Sequence, residues 1–157
     1  MNTLLDYPLV TGAGGFIGRN LVQYLLENTN AKVITAVDLP NNGHLRQFRD
    51  NPRVNVVEAD LNFNISNVKF GKEPTSIFML AALNGTSKFY TKPWDVIINS
   101  TLPTLNTISN FKNTCPILFT SSSEVYASTI NKNPKLIPTT EDIEPSIEDI
   151  HNPRWSY

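Results

Sequence analysis

Several features that mark particular protein classes are scarce in this sequence of 157 residues. The one cysteine, Cys115, excludes an internal disulfide, and it is expected to be a reduced, packed thiol. The formal net charge is -1 without a block of like charges, so attraction to nucleic acid or to an anionic membrane is not expected. No stretch approaches the roughly 20 apolar residues that a membrane span needs.

Signals for secretion and for metal binding are also missing from the sequence. The N-terminal residues MNTLLDYPLV lack the basic start and the long apolar run of a signal peptide, so a cytoplasmic protein is expected. His44 and His151 are far apart and have no cysteine or paired acid at ligand spacing nearby. We therefore predict no metal site.

Short apolar runs alternate with helical patterns in the first 120 residues. The helical patterns are Phe16–Asn28, with apolar residues at i, i+4 and i+8, and Trp94–Phe111. Strands that are apolar on both faces and separated by helices are typical of a parallel sheet covered on both sides. The predicted fold is α/β, a doubly wound parallel sheet of the Rossmann type. The predicted strands are Tyr7–Thr11, Lys32–Asp38, Val54–Glu58, Ser76–Ala82 and Pro116–Thr120.

The composition changes after Tyr126. Residues 131–153 are rich in Pro, Asn, Thr and acids and show little periodicity, which predicts a long loop. The expected organisation is a dinucleotide-binding core over residues 1–126, followed by a loop over residues 127–157.

A glycine-rich turn follows the first predicted strand. In TGAGGFIG, Gly12, Gly15 and Gly18 have the spacing G-x-x-G-x-x-G. Such glycines permit a tight turn, close approach of the backbone to a pyrophosphate, and close packing of helix on sheet. A glycine-rich turn without a ligand is the alternative interpretation.

Acidic residues end the next two predicted strands. Asp38 lies twenty residues after Gly18, where an acid can accept hydrogen bonds from the adenosine ribose hydroxyls. No basic residue directly follows it, which favours NAD over NADP. Asp60, followed by Leu61, could accept a hydrogen bond from the adenine amino group, although an aspartate that only forms a turn is the alternative.

The fifth predicted strand leads into the polar run TSSSEVYA. Ligands of doubly wound sheets lie beyond the C-terminal ends of the strands. This rule places Ser121, Ser122, Ser123 and Glu124 beside the nicotinamide end of a bound cofactor. A polar cap between strand and loop is the alternative.

Together these motifs resemble the extended short-chain dehydrogenase/reductase family, which contains the NAD-dependent nucleotide-sugar epimerases and dehydratases. The resemblance rests on the order of TGAGGFIG, Asp38, Asp60-Leu61, LAA at residues 80–82, Asn99, SSSEVY and the closing PRWSY. It implies that NAD is the cofactor. Further cofactor contacts that it implies come from Phe16, Ile17, Ala81, Ala82, Asn99 and Ser121.

The resemblance also implies catalytic roles. Ser122, four residues before Tyr126, matches the family's serine or threonine, and Tyr157 matches its catalytic tyrosine. The lysine that activates this tyrosine would lie four positions further on, so the chain is expected to end inside the motif. Glu124 matches an acid that acts in dehydratases and decarboxylases, with a solvated or capping acid as the alternative. Ser123 and Asn84 would contact the substrate.

The function implied by the resemblance is that of the NAD-binding part of a nucleotide-sugar epimerase, dehydratase or decarboxylase that oxidises a sugar at C4. The last strands and the substrate lobe are expected to lie outside the chain, and the full-length protein is expected to be a homodimer. A non-catalytic NAD-binding module or an inactive fragment is the alternative. The sequence does not identify the sugar.

Overall fold

The computed structural model describes residues 3–112 and 115–152, and these divide into two compact units. The first unit comprises the described residues of Met1–Leu83 and Ile98–Thr120. The second comprises the described residues of Asn84–Ile97 and Ser121–Tyr157. Among the described residues, no helix is both long and apolar enough to cross a bilayer.

The described residues of the first unit form a parallel sheet of five strands: β1 (Pro8–Thr11), β2 (Ile34–Asp38), β3 (Val54–Glu58), β4 (Ser76–Met79) and β5 (Ile117–Phe119). Their order in the sheet is β3-β2-β1-β4-β5. The predicted doubly wound α/β fold is therefore confirmed. The chain order reverses between β1 and β4, which are neighbours in the sheet, and ligands of such sheets bind at this switch point.

Alternate residues of the strands enter two separate hydrophobic clusters, one on each face of the sheet. Leu9 belongs to the cluster that includes Phe111, and its neighbour Val10 belongs to the cluster that includes Val22 and Leu25. Since successive side chains of a strand point to opposite faces, both faces of β1 are buried. This explains why the strand reads as a continuous apolar run.

In the part of the chain that the structure describes, four α-helices connect or follow the strands: α1 (Phe16–Asn28), α2 (Thr86–Thr91), α3 (Pro93–Phe111) and α4 (Ala127–Lys132). The first has the predicted bounds, and the third begins one residue before the predicted start. The sequence pattern missed α2, α4 and the three short 3-10 helices, which are too brief to show a helical period. Those 3-10 helices are Gly43–Phe48, Ser123–Tyr126 and Pro134–Leu136.

Hydrogen bonds near the strand ends explain why some strands are shorter than predicted. The N–H groups of Leu80 and Ala81 donate to the Thr11 hydroxyl, at 3.1 and 3.2 Å, so β4 ends at Met79. The N–H groups of Lys32 and Val33 donate to the carbonyl of Asp6 instead of to a neighbouring strand, so β2 begins at Ile34.

The second unit has few buried residues. In its described part, Phe89, Val96 and Ser128 are the buried ones. The segment that follows α4 is attached to it by polar contacts: Thr129 donates to the carbonyl of Glu144 at 2.9 Å, and Asn131 donates to the carboxylate of Glu148 at 2.7 Å. The predicted loop over residues 131–153 contains the end of α4 and one 3-10 helix, and its described remainder has no other helix or strand. The predicted division after residue 126 stays a prediction.

Candidate functional site

The turn between β1 and α1 is shaped by its glycines. Gly12 has a φ of +66°, and a Cβ there would lie 2.8 Å from the carbonyl carbon and oxygen of Leu80. A Cβ on Gly18 would lie 2.1 Å from the carbonyl oxygen of Gly12, so this glycine allows α1 to pack against the turn. Both positions therefore exclude any side chain.

Gly15 leaves the beginning of α1 open. It is the N-cap residue, it is exposed, and no side chain caps the first N–H groups of the helix. A Cβ on Gly15 would approach only the carbonyl oxygen of Gly12, at 3.1 Å. Uncapped N–H groups and the helix dipole favour an anion, as a dinucleotide pyrophosphate would provide.

The carboxylate of Asp38 holds the glycine turn. One oxygen, Oδ2, accepts from the N–H of Gly14 at 2.7 Å, and Oδ1 accepts from the N–H of Leu39 at 2.7 Å. A carboxylate offers about four acceptor positions, so each oxygen can accept a further hydrogen bond from a ribose hydroxyl.

A cleft of about 230 Å³ opens in the first unit where the carboxyl ends of β1, β2, β3 and β4 converge. Eight of the predicted cofactor residues line it: Gly12, Gly15, Asp38, Asp60, Leu61, Ala81, Ala82 and Asn99. No lysine or arginine is among its described lining residues, so no positive side chain is placed to hold a 2′-phosphate. The cleft therefore fits NAD better than NADP.

The remaining lining residues were not among the predicted cofactor contacts: Leu39, Asn42, Ala59, Asn62, Leu80, Leu83 and Pro103. Asn42 covers the glycine turn, since a Cβ on Gly14 would lie 2.4 Å from the Asn42 side-chain nitrogen. Its side-chain oxygen accepts from the N–H of His44 at 3.0 Å, which caps the 3-10 helix Gly43–Phe48. The signal that could have revealed Asn42 is its place in the sequence, shortly after Asp38 at the end of β2.

The other predicted cofactor residues do not line the cleft. The side chains of Phe16 and Ile17 are exposed at the beginning of α1, whereas Gly18 is buried in the packing of helix on turn. Ser121 is exposed and begins the second unit's later segment. Their roles in cofactor binding stay predictions.

The predicted catalytic and substrate residues in the described part belong to the second unit. Ser122 caps the 3-10 helix Ser123–Tyr126, accepting from the N–H of Glu124 at 3.3 Å. Ser122 and Glu124 are half-buried, whereas Ser123 and Asn84 are exposed. Asn84 accepts from the N–H of Gly85 at 2.8 Å. Tyr157 lies outside the described residues.

No group of three or more His, Cys, Asp or Glu side chains in residues 3–112 and 115–152 could hold a metal ion. The polar groups that the cleft offers are carboxylates, amides and backbone N–H groups. These suit a dinucleotide.

Comparison with known proteins decides between the families that share this fold. The model of the NAD dependent epimerase/dehydratase family matches residues 8–157. The chain belongs to this family. Its cofactor is NAD, in agreement with the composition of the cleft.

Several relatives are named for nucleotide sugars. The chain is 30% identical to UDP-D-apiose/UDP-D-xylose synthase 1 of Arabidopsis thaliana, and the match covers 93% of this chain and 42% of the synthase. A solved UDP-galactose 4-epimerase is 26% identical with a TM-score of 0.68, covering 89% of this chain and 44% of the epimerase. The enzyme WbmF of Bordetella bronchiseptica, solved with NAD+ and UDP, is 25% identical with a TM-score of 0.61, covering 74% of this chain and 36% of WbmF.

The chain therefore spans less than half the length of these relatives. Other relatives include a dTDP-glucose 4,6-dehydratase and a UDP-glucuronic acid decarboxylase, so more than one reaction occurs among them.

Proposed function

We propose that this chain is the dinucleotide-binding part of an enzyme that oxidises a nucleotide sugar at C4. The observation that carries the proposal is the convergence of Gly15, Asp38, Asp60 and Asn99 on one cleft at the switch point of the sheet. The backbone at Gly15 would hold the pyrophosphate, Asp38 the adenosine ribose, and Asp60 the adenine. Bound NAD supplies the acceptor for a hydride from the sugar carbon.

The proton chemistry is assigned to Ser122 and Tyr157. A serine hydroxyl that accepts one hydrogen bond, as Ser122 does from the Glu124 N–H, can also donate one, and it would hold the sugar hydroxyl in place. Tyr157 would accept the proton from that hydroxyl. Glu124 is the candidate for a later acid or base step, and Ser123 and Asn84 are candidates for substrate contacts. The names of the relatives support a UDP- or dTDP-linked sugar as the substrate class.

Competitive measurement of NAD and NADP binding tests the cofactor site. We expect the 157-residue chain to prefer NAD, because a 2′-phosphate would be repelled by the Asp38 carboxylate. Asp38→Ala should weaken NAD binding by about tenfold or more and reduce the preference for NAD, since hydrogen bonds to a charged group are lost. Asp50→Ala removes an exposed carboxylate that does not line the cleft and should change neither value. An unchanged preference in Asp38→Ala would contradict the assignment.

Turnover of UDP- and dTDP-hexoses distinguishes the enzyme from a binding module. We expect the full-length protein to convert at least one of these sugars, and Ser122→Ala to reduce kcat by about 100-fold or more while NAD binding is retained. A full-length protein that binds NAD but converts none of these sugars would support a non-catalytic module instead.

A further inference from the structure

Asn62 is the one described residue whose hydrogen bonds hold the Asp60 carboxylate. Asp60 Oδ1 accepts from the backbone N–H of Asn62 and from its Nδ2, both at 2.9 Å. The other carboxylate oxygen, Oδ2, has no hydrogen bond from a described residue. Because one oxygen accepts two bonds from the same neighbour, the orientation of the carboxylate is fixed before any ligand arrives.

The same Asn62 amide reaches across to α3. Its Nδ2 also donates to Asn99 Oδ1 at 2.8 Å, so both hydrogens of one NH₂ group are used. This bond determines which end of the Asn99 amide faces Asn62. All three side chains line the cleft, and Asn62 connects the other two.

A second asparagine attaches the same loop to α3 without touching the carboxylate. Asn106 Nδ2 donates to the carbonyls of Leu61 and Phe63, at 2.8 and 2.9 Å. Asn99 and Asn106 are seven residues apart, which is about two helical turns, so they lie on the same face of α3. The loop is thus attached twice, once through its backbone and once through the side chain that orients Asp60.

The buried side-chain oxygen of Asn62 destabilises the fold, which indicates that the donor groups of this side chain have a role. Its Oδ1 is buried and accepts no hydrogen bond from the described residues. A buried acceptor without a partner destabilises a fold, and an apolar residue would fill the space without that cost. The two bonds from Nδ2 explain why an amide is nevertheless present.

We propose that Asn62 is a positioning residue that determines which base of the dinucleotide the cleft accepts, an inference that rests on the NAD site described above. By occupying Asp60 Oδ1, it leaves Oδ2 to accept from an exocyclic amino group. Adenine carries an amino group at C6, whereas hypoxanthine carries a carbonyl there, whose oxygen would face the carboxylate oxygen. The arrangement selects adenine over hypoxanthine.

Binding of NAD and of nicotinamide hypoxanthine dinucleotide to the 157-residue chain tests the proposal. We expect the unaltered chain to prefer NAD by on the order of 100-fold, and Asn62→Ala to lower this preference to about tenfold or less, since the carboxylate then keeps only the bond from the backbone N–H of residue 62 and can rotate about it. Asn106→Ala is the matched control, because it loosens the same loop but leaves the bonds to Asp60 in place. It should lower thermal stability while the preference stays as it was.

The possible outcomes separate this inference from the cofactor assignment. If the unaltered chain binds neither dinucleotide, the NAD site itself is wrong. If it prefers NAD and Asn62→Ala retains the full preference, the inference about Asn62 is overturned while the NAD site stands. Should Asn62→Ala fail to fold, Asn62→Leu serves in its place, because its apolar side chain fills the space but donates no hydrogen bond to Asp60 or Asn99; a full preference there overturns the inference equally.

Discussion

Each of the two units of the chain is stabilised by a different kind of interaction. The first has a sheet buried on both faces, with strand residues such as Leu9, Val10 and Ile77 almost completely excluded from solvent. The second has three buried residues in its described part and is held largely by hydrogen bonds at its surface. The predicted cofactor residues that meet in one cleft belong to the first unit, whereas Ser122, Glu124 and Asn84 belong to the second. The proposed cofactor contacts therefore lie in the well-packed unit, and the proposed substrate contacts lie in the loosely packed one.

The largest expected effect on stability is at Gly18, where the first unit has no space for a side chain. We expect Gly18→Ala to lower the free energy of unfolding by about 3 kcal/mol or more, because its Cβ would lie 2.1 Å from the carbonyl oxygen of Gly12. Urea unfolding measures this. Gly43→Ala is the control, since a Cβ there has no atom within 4 Å, and it should change stability by no more than about 0.5 kcal/mol. Equal losses in the two variants would show that the turn is not tightly packed.

A smaller but still large effect is expected at Arg53, which attaches the C-terminal end of α1. Its guanidinium donates to the carbonyls of Leu26, Thr29 and Ala31 at distances between 2.8 and 3.1 Å. Arg53→Met should destabilise the chain by about 2 to 3 kcal/mol, because these carbonyls lose their donors and the negative end of the helix dipole loses a cation.

Arg49→Met provides the comparison for that experiment. Arg49 pairs with Glu58 at 2.7 Å, but both side chains are substantially exposed, at 49% and 33%. Its loss should lower the unfolding free energy by no more than about 1 kcal/mol. If thermal unfolding shows the two arginine variants to be alike, the hydrogen bonds to the carbonyls are not what stabilises this end of α1.

A local effect is expected in the second unit. Thr129→Val removes the hydrogen bond to the Glu144 carbonyl and the contact with the Ser146 hydroxyl. We expect faster hydrogen exchange over residues 140–148, a loss of about 1 kcal/mol locally, and unchanged NAD binding. Thr91→Val, which removes a hydrogen bond to the Ser87 carbonyl elsewhere in this unit, should leave exchange over residues 140–148 unaltered. Weaker NAD binding in Thr129→Val would show that the second unit supports the cofactor site.

The smallest expected effect concerns the stability of the fold at acidic pH. The hydrogen bond from Lys32 lowers the pKa of Asp6 in the first unit below its usual 3.8, and the Thr140 hydroxyl lowers the pKa of Asp142 in the second. A lowered pKa means that the folded state favours the ionised form. Each contribution is therefore present above the unfolded pKa and is lost as the pH falls through the folded pKa.

Unfolding measured between about pH 5 and pH 2.5 should show this loss. Asp6→Asn should reduce the dependence of stability on pH in this range, and Thr140→Val should do so less, because the Asp142 contact is on the surface. A pH dependence that neither substitution alters would assign acid destabilisation to other groups.

Much of the fold could be predicted from local patterns. The helix Phe16–Asn28 and the strand Val54–Glu58 have the predicted bounds, because a long apolar period or a buried β-branched run leaves few alternatives. The strand ends at Met79 and Ile34 could not be predicted, since they depend on Thr11 and Asp6 from distant parts of the chain. Short helices such as Thr86–Thr91 contain too few residues to show a period.

Part of the cleft could also be predicted from the sequence, for a chemical reason. The glycine turn and Asp38 were found because a parallel sheet places strand ends together and a dinucleotide needs open backbone and an acid there. Asn62 and Asn42 were not found, because a single asparagine after a strand carries no periodicity and is common in turns. Their partners, Asn99 and Gly14, become visible only when the chain is folded.

By itself the sequence determined the alternation of strands and helices, the glycine turn and the acids at the strand ends, because these depend on residues close together in the chain. Only the tertiary structure decided that the Asp60 carboxylate is held by Asn62, that Asn62 also contacts α3, and that a side chain at Gly18 has no space. The contact between Asn62 and α3 joins residues that are distant in sequence, whereas those at Asp60 and Gly18 depend on how the carboxylate and the folded turn are oriented. Their energies come from packing and from hydrogen-bond geometry, which no local pattern encodes.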